Sequence, residues 1–434
     1  MTLENERELE SSYVMHTFGR KPVEFVEGRG MVLRDSGGKE YLDFLSGIGV
    51  CGLGHCHPAI VKAIQDQAEK LIHVSNYFYI EKRGEVAKRI SDLLNAEETR
   101  GGSNSHLALG QADDGADDWK CFFANSGAEA NECAIKLARL YAKKRAMSSD
   151  EAMHSDPASL IITLVRSFHG RTLATLAATG QRVFHQGFEP IPEGFMPTPI
   201  NDCESLQDIF DRLGKSICAV MIEPIQGESG VHVCNEEFLK TARRLTEEYG
   251  ALLIFDEVQS GTYRTGKPFA FQNYEVMPDV VTIAKGIASG IPAAACAARG
   301  HFGDVLQPGQ HGSTFGGSNI AMAAALATLD EMGSASFTNN IIETGVYLKE
   351  QLDQIREVME VRGLGLMVAV DLKEGIDAPS VVDAALDEGL VINATGTHTL
   401  RFLPPLICTS SDVDTFIERL KAAIGRQVED SAAL

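Results

Sequence analysis

Five short apolar runs punctuate the middle of the chain: Lys120–Ala124, Leu160–Val165, Cys218–Ile222, Leu252–Phe255 and Val280–Ala284. Each has strand length and is nearly free of polar residues. That pattern predicts strands covered on both faces, as in a parallel sheet between helices. The stretches between them have helical spacing. The clearest follows Ser126, where Ala130, Cys133, Ala134, Leu137, Ala138 and Tyr141 recur at i, i+3, i+4 and make one apolar stripe. Strands alternating with helices predict an α/β fold with a mostly parallel central sheet. The pattern changes near residue 320. Beyond it, two helical stretches surround a short segment, Gly365–Leu372, followed by Gly389–Ile392 and Leu400–Phe402. We expect a large domain over 51–320, a smaller α+β domain over 321–434, and a segment 1–50 packing with the small domain.

Composition adds exclusions. The 434 residues are 44% hydrophobic and 23% charged, which is ordinary globular composition. With 39 Lys+Arg against 60 Asp+Glu, the net charge is −21. A duplex nucleic-acid binder needs a basic surface to displace counterions, so no nucleic-acid partner is expected. The same sign disfavours anionic membrane surfaces. Small anionic ligands stay open, because they respond to local fields. Segment 95–119 carries six carboxylates against Arg100 and is rich in Gly and Ser. It and the acidic stretch 146–159 are read as surface loops, outside any chemistry. No apolar run approaches transmembrane length, and the acidic start MTLENERELE has no apolar core of a targeting signal. The nine cysteines are scattered without a C-x-x-C pair. These features predict a cytoplasmic protein with reduced thiols and no membrane partner.

Three motif-like runs mislead. Gly47-Ile-Gly49-Val-Cys-Gly52 fits G-x-G-x-x-G, but the helix that should follow cannot begin before about Pro58, so a tight turn is expected. Gly261 to Lys267 resembles a phosphate loop, yet Pro268 stands where Ser or Thr would bind magnesium. Cys51, His55, Cys56 and His57 lack a second pair at finger spacing, so no metal is expected.

The informative residues fall where strands of a parallel sheet would end, the edge at which such folds bind ligands. Asn125-Ser126-Gly127-Ala128-Glu129 opens the amphipathic helix. Its N-terminal amides suit a phosphate, or Ser126 is simply a helix cap. Asp256-Glu257 follows one apolar strand and Lys285-Gly286 another. A buried ion pair is one reading of these charges. Pyridoxal 5′-phosphate is the other, since it needs an amine for its aldehyde, a carboxylate at its ring nitrogen and an anion site.

Eight motifs in order decide between the readings: GLGHCHPAI (52–60), NSGAEANE (125–132), FHGRT (168–172), EPIQGESG (223–230), FDEVQSGTYRTG (255–266), AKGI (284–287), GSTFGG (312–317) and RFLPPL (401–406). With them the sequence resembles the class III pyridoxal-phosphate aminotransferases of fold type I. The resemblance implies pyridoxal 5′-phosphate on Lys285, with Asp256 at its ring nitrogen. It implies that Phe168 and Val258 flank the ring, Gln259 bonds its phenolic oxygen, and His169 joins the cofactor-binding set. Ser126, Gly127 and Ala128 would meet the phosphate. Ser313 and Thr314 would reach the phosphate of a neighbouring subunit, which implies a homodimer. Glu223 would lie behind the cofactor. Arg171 and Arg401 would bind substrate carboxylates, an arginine fork matching a carboxylate with two parallel bonds. Glu228 would occupy Arg401 when a substrate brings no second carboxylate, and withdraw for glutamate or 2-oxoglutarate.

Within the class, GLGHCHPAI, HVSN (73–76) and SFHGRTLATLAATGQ (167–181) resemble the acetylornithine aminotransferases of arginine biosynthesis, some of which also act on N-succinyl-diaminopimelate. The expected small-molecule substrates are N-acetylornithine and 2-oxoglutarate, in a ping-pong cycle. Ornithine δ-aminotransferase, or another class III ω-aminotransferase, is the alternative, and Phe78-Tyr79 does not separate them. A non-catalytic relative would have lost Lys285 or Asp256. A decarboxylase or racemase of the same fold would have no use for the Glu228–Arg401 switch.

Overall fold

The computed structural model describes residues 3–96, 118–147 and 157–432. The segments read as acidic loops therefore fall largely outside the described residues. The chain divides into two compact units, Ala59–Thr338 and Met1–Pro58 with Asn339–Leu434. Among the described residues, no helix is long and apolar enough to cross a membrane, and no cysteine forms a disulfide.

The unit Ala59–Thr338 is built on a seven-stranded sheet. Its strands are β1 (Trp119–Ala124), β2 (Leu160–Leu164), β3 (Phe195–Thr198), β4 (Ile217–Ile222), β5 (Leu252–Asp256), β6 (Val280–Ile283) and β7 (Ala294–Arg299), in the spatial order β1-β7-β6-β5-β4-β2-β3. Neighbours from β6 across to β3 pair parallel, and β7 runs antiparallel to both β6 and β1. The five apolar runs all form strands, and β4 and β5 are buried along their whole length. The mostly parallel α/β sheet is as expected. Two strands escaped the sequence reading. β3 contains Pro197, which cannot donate to a ladder, and it lies at the sheet edge where that is harmless. β7 reads AACAAR, a composition that favours helices in isolation.

Helix α1 (Gly127–Met147) crosses the sheet. Its stripe Ala130, Cys133, Ala134, Leu137 and Ala138 is buried, and Asn131 is buried with it. Beneath its first turn, Ala124, Ala130, Ala284 and Ala294 form a small cluster of their own, with Phe122 and Val258 packed against it. Because all strands but β7 share one direction, the C-terminal ends of β1, β2, β4, β5 and β6 open on one edge.

The other unit holds two four-stranded sheets. In one, Leu390–Val391 pairs parallel with Glu40–Asp43, which continues through Val32–Asp35 to Phe25–Arg29. The N-terminal segment and the C-terminal part of the chain thus share a sheet. The second sheet joins Val358–Leu364, Met367–Leu372, Thr399–Phe402 and Asn393–Ala394 in antiparallel fashion. The glycine run at 47–54 makes tight turns. A Cβ on Gly54 would stand 2.7 Å from the Gly30 carbonyl oxygen, and its φ is +78°. The helix after it runs Pro58–Lys70. His55 Nε2 lies 2.7 Å from Asp43 Oδ2. Burial opposes the charged ring, but the Asp43 carboxylate prevails and His55 is pushed up to about 10.

Candidate active site

The edge of the parallel sheet gathers a buried network around Asp256, the last residue of β5. Asp256 is 4% exposed, so an unsatisfied carboxylate there would be costly. Its Oδ2 accepts from Asn131 Nδ2 at 2.7 Å and faces His169 Nδ1 at 2.8 Å. Its Oδ1 accepts from the Val258 N–H at 3.0 Å. His169 follows β2 in a turn held by Thr179 Oγ1, which accepts from the His169 N–H at 3.0 Å. Burial opposes charge on His169, but Asp256 outweighs it, aided by Glu223, and the ring's pKa is raised. His169 Nε2 is buried with no hydrogen-bond partner. Glu223, just past β4, accepts from the Phe168 N–H at 2.9 Å. Burial pushes this carboxyl up to about 8. Burial also pushes Glu257 up to about 7, against the pull of its bonds from Ser260 Oγ and the Phe271 N–H.

The N-terminus of α1 lies on the same edge. Ser126 caps it, its Oγ accepting from the Glu129 N–H at 3.3 Å, while the Glu129 carboxylate accepts from the Asn125 N–H at 2.8 Å. Helix geometry leaves the Gly127 and Ala128 N–H groups without intrahelical partners. Gly127 is required by its surroundings, because a Cβ there would stand 2.7 Å from Val258 Cγ1. Gly170, in FHGRT, approaches as closely, 2.7 Å from Ala128 Cβ. Asn125 Nδ2 donates to Ser313 Oγ at 3.3 Å. The loop bearing Ser313 and exposed Thr314 is clamped by Asn76, whose Nδ2 donates to the carbonyls of Ser313 and Gly316 at 2.7 and 3.2 Å.

Lys285 follows β6 after a single residue, Ala284, and is half-buried. Its φ of +49° lies in the left-handed region, uncommon for a side chain of this kind, and turns the chain sharply at the strand end. Half-buried Gln259 packs on Gly227, where a Cβ would stand 2.0 Å from Gln259 Oε1. Glu228, half-buried, is next in sequence. Arg171 is exposed, its guanidinium carbon 3.9 Å from the Phe184 ring centroid and 5.4 Å from that of Phe168. Such stacking holds the fork in one orientation. Arg401 belongs to the other unit. It sits fully buried on the strand Thr399–Phe402, with its Nε donating to Asn393 Oδ1 at 3.2 Å.

Close contacts run from Gly127 to Val258, from Val258 to Asp256 and from Asp256 to His169; Ala128 meets Gly170, Phe168 meets Glu223, and Ser126 and Ser313 meet Glu129 and Asn125. Sequence reasoning did not single out Asn131, Thr179, Thr282, Phe184 or Asn76. Asn131 left a signal, a carboxamide in register with an apolar helix stripe. Asn76 and Thr179 lie within the runs HVSN and SFHGRTLATLAATGQ, and Thr282 and Phe184 left no signal. Among the described residues, no cluster of three or more His, Cys, Asp or Glu is placed to hold a metal ion.

These residues fit pyridoxal 5′-phosphate. Asp256 Oδ1 accepts a single hydrogen bond and has capacity for a further donor. The side-chain-free surface at Gly127 and the helix N-terminus suit a phosphate. Lys285 supplies an amine within the same unit.

Comparisons with known proteins agree. The sequence model of the class-III aminotransferases matches residues 15–424. An acetylornithine aminotransferase of Caldanaerobacter subterraneus subsp. tengcongensis is 43% identical over 417 residues, covering 95% of this chain and 97% of that protein. The crystal structure of an acetylornithine aminotransferase from Elizabethkingia anophelis superposes with a TM-score of 0.81 at 33% identity, covering 98% of this chain and 99% of that one. The ornithine aminotransferase of Toxoplasma gondii ME49 gives a TM-score of 0.85 at 29% identity, covering 99% and 96%.

Proposed function

The chain belongs to the class-III aminotransferases, enzymes that use pyridoxal 5′-phosphate, and on that premise we propose that it exchanges an amino group between N-acetylornithine and 2-oxoglutarate. The products are N-acetylglutamate 5-semialdehyde and glutamate, and in the biosynthetic direction glutamate is the donor. The observation that carries this reading is the 43% identity, over nearly the full length of both chains, to a protein named as an acetylornithine aminotransferase.

When bound, the cofactor supplies an aldehyde that takes up the amino group and a ring that draws electron density away from the reacting carbon. The chain's own residues do the rest. Lys285 Nζ holds the aldehyde between turnovers. Its amine, when not engaged with the aldehyde, would serve as the base that moves a proton at the substrate carbon. Asp256 holds a proton on the ring nitrogen, and its hydrogen-bonded, buried state makes that charge pairing strong. Phe168 and Val258 would flank the ring, and Gln259 would donate to its phenolic oxygen. The Gly127 and Ala128 amides, with Ser126, receive the phosphate. Ser313 and Thr314 serve the phosphate held by a neighbouring subunit, so the working form is a homodimer. Arg171 and Arg401 bind substrate carboxylates. Glu228 takes the switching role that its motif implies. A cytoplasmic location is consistent with scattered, unbridged cysteines.

Ornithine aminotransferase is the second reading, favoured by the structural likeness to the Toxoplasma gondii enzyme. Catalytic efficiencies on N-acetylornithine, ornithine and N-succinyl-diaminopimelate, each with 2-oxoglutarate, separate the two. Preference for N-acetylornithine is expected, and preference for ornithine overturns the first reading.

A further inference from the structure

We propose that Asn131 is a positioning residue that orients Asp256 for the cofactor, and that the Thr282 hydroxyl holds the Asn131 amide in place by satisfying its oxygen. The inference rests on the cofactor reading above and goes beyond it.

Asn131 lies at the start of α1 and is 1% exposed. A buried carboxamide is tolerated only when its polar groups are satisfied. Here its Nδ2 donates both to Asp256 Oδ2 and to the His169 carbonyl oxygen, each at 2.7 Å. Its Oδ1 accepts from Thr282 Oγ1 at 2.7 Å. Thr282 is itself fully buried on β6, directly opposite Asp256 in the parallel register. One side chain therefore ties together α1, the turn after β2, the end of β5 and β6.

The direction of that amide matters. Turned over, Asn131 would present its oxygen to a carboxylate and to a carbonyl, acceptor against acceptor at both contacts. Those two acceptors fix the direction of the amide, and the Thr282 hydroxyl, donating to Oδ1, satisfies the oxygen that this direction leaves facing β6. With Asn131 and His169 both held on Oδ2, the Asp256 carboxylate cannot rotate without breaking two bonds. Oδ1 then carries only the Val258 N–H and is the oxygen left for the proton on the cofactor's ring nitrogen. Asn131 need not touch the cofactor; it acts through Asp256.

The isosteric substitution Thr282→Val removes the hydroxyl and keeps the shape, and Thr282→Ser keeps the hydroxyl. Cofactor-free wild type, Thr282→Val, Thr282→Ser and Asn131→Ala are titrated with pyridoxal 5′-phosphate. The pH at which the bound cofactor's absorption changes is then recorded for each. Thr282→Val and Asn131→Ala should weaken cofactor binding about tenfold or more and shift the titration midpoint, and Thr282→Ser should restore both. Wild-type binding and an unmoved midpoint in Thr282→Val would overturn the proposal, as would equal effects of Val and Ser, which would point to methyl packing alone. Should Asn131→Ala fail to fold, the Thr282 pair decides. Wild-type protein that takes up no cofactor overturns the cofactor reading, and the inference with it.

Discussion

Replacing Asp256 by Asn preserves shape and changes only charge and hydrogen-bonding pattern. The wild-type carboxylate receives three donors, from Asn131, His169 and the Val258 N–H. An amide offers one accepting oxygen and one donating nitrogen. With its oxygen toward Asn131 and His169, its nitrogen confronts the Val258 N–H. In the reverse orientation its nitrogen confronts two donors. The better arrangement leaves one buried donor unsatisfied, at about 1–3 kcal/mol. The two side-chain bonds also lose their charge assistance, about 1 kcal/mol each. The expected loss of folding stability is thus about 3–5 kcal/mol, before any cofactor is added. The assay is denaturant unfolding of cofactor-free wild type and Asp256→Asn under the same conditions. Unfolding free energies within about 1 kcal/mol of each other would refute the three-donor account, whatever the variant did to activity.

Other outcomes follow from the same edge. Gly127→Ala should force Val258 toward the cofactor's place and weaken cofactor binding, and Val258→Ala should restore it in the double variant; additive losses would refute the contact. Glu223 is pushed up to about 8 from 4.5, so between those values the unfolded chain gives up a proton that the folded one keeps, and stability falls as pH rises. Glu223→Gln should therefore gain on wild type in unfolding free energy from pH 5 to 8, and a constant difference would reject the buried, protonated carboxyl. Borohydride reduction of the loaded enzyme followed by peptide mapping should place the cofactor on Lys285, and a label on another lysine sinks that assignment. Glu228→Ala should slow the acetylornithine half-reaction more than the glutamate half-reaction; equal losses would remove its switching role.

Much of this site was legible because charged residues at the ends of apolar strands are conspicuous. Asp256 and Lys285 each follow a run with almost no polar atoms, and the parallel-sheet rule alone places them on one edge. The stripe of α1 was equally plain. What the pattern hid is local composition overruled by tertiary context. Ala294–Arg299 has the residues of a helix yet forms a strand, because it is inserted between β1 and β6 and its backbone completes both their ladders. Thr282 resembles any β-branched strand residue, and only the distance to Asn131 reveals its hydroxyl at work. The glycine run 47–52 was read as turns from the proline that follows, and its positive φ angles agree.

The four alanines beneath the start of α1 have a consequence for engineering. Ala130 belongs to helix α1, Ala284 immediately precedes Lys285, and Ala124 and Ala294 end and begin adjoining strands. A methyl side chain has no rotamer to choose and no slack to take up. The layer is a shim: it brings the start of α1 close to the chain that leads into Lys285. One added methylene in the shim would shift the start of α1 and the turn at Lys285 together.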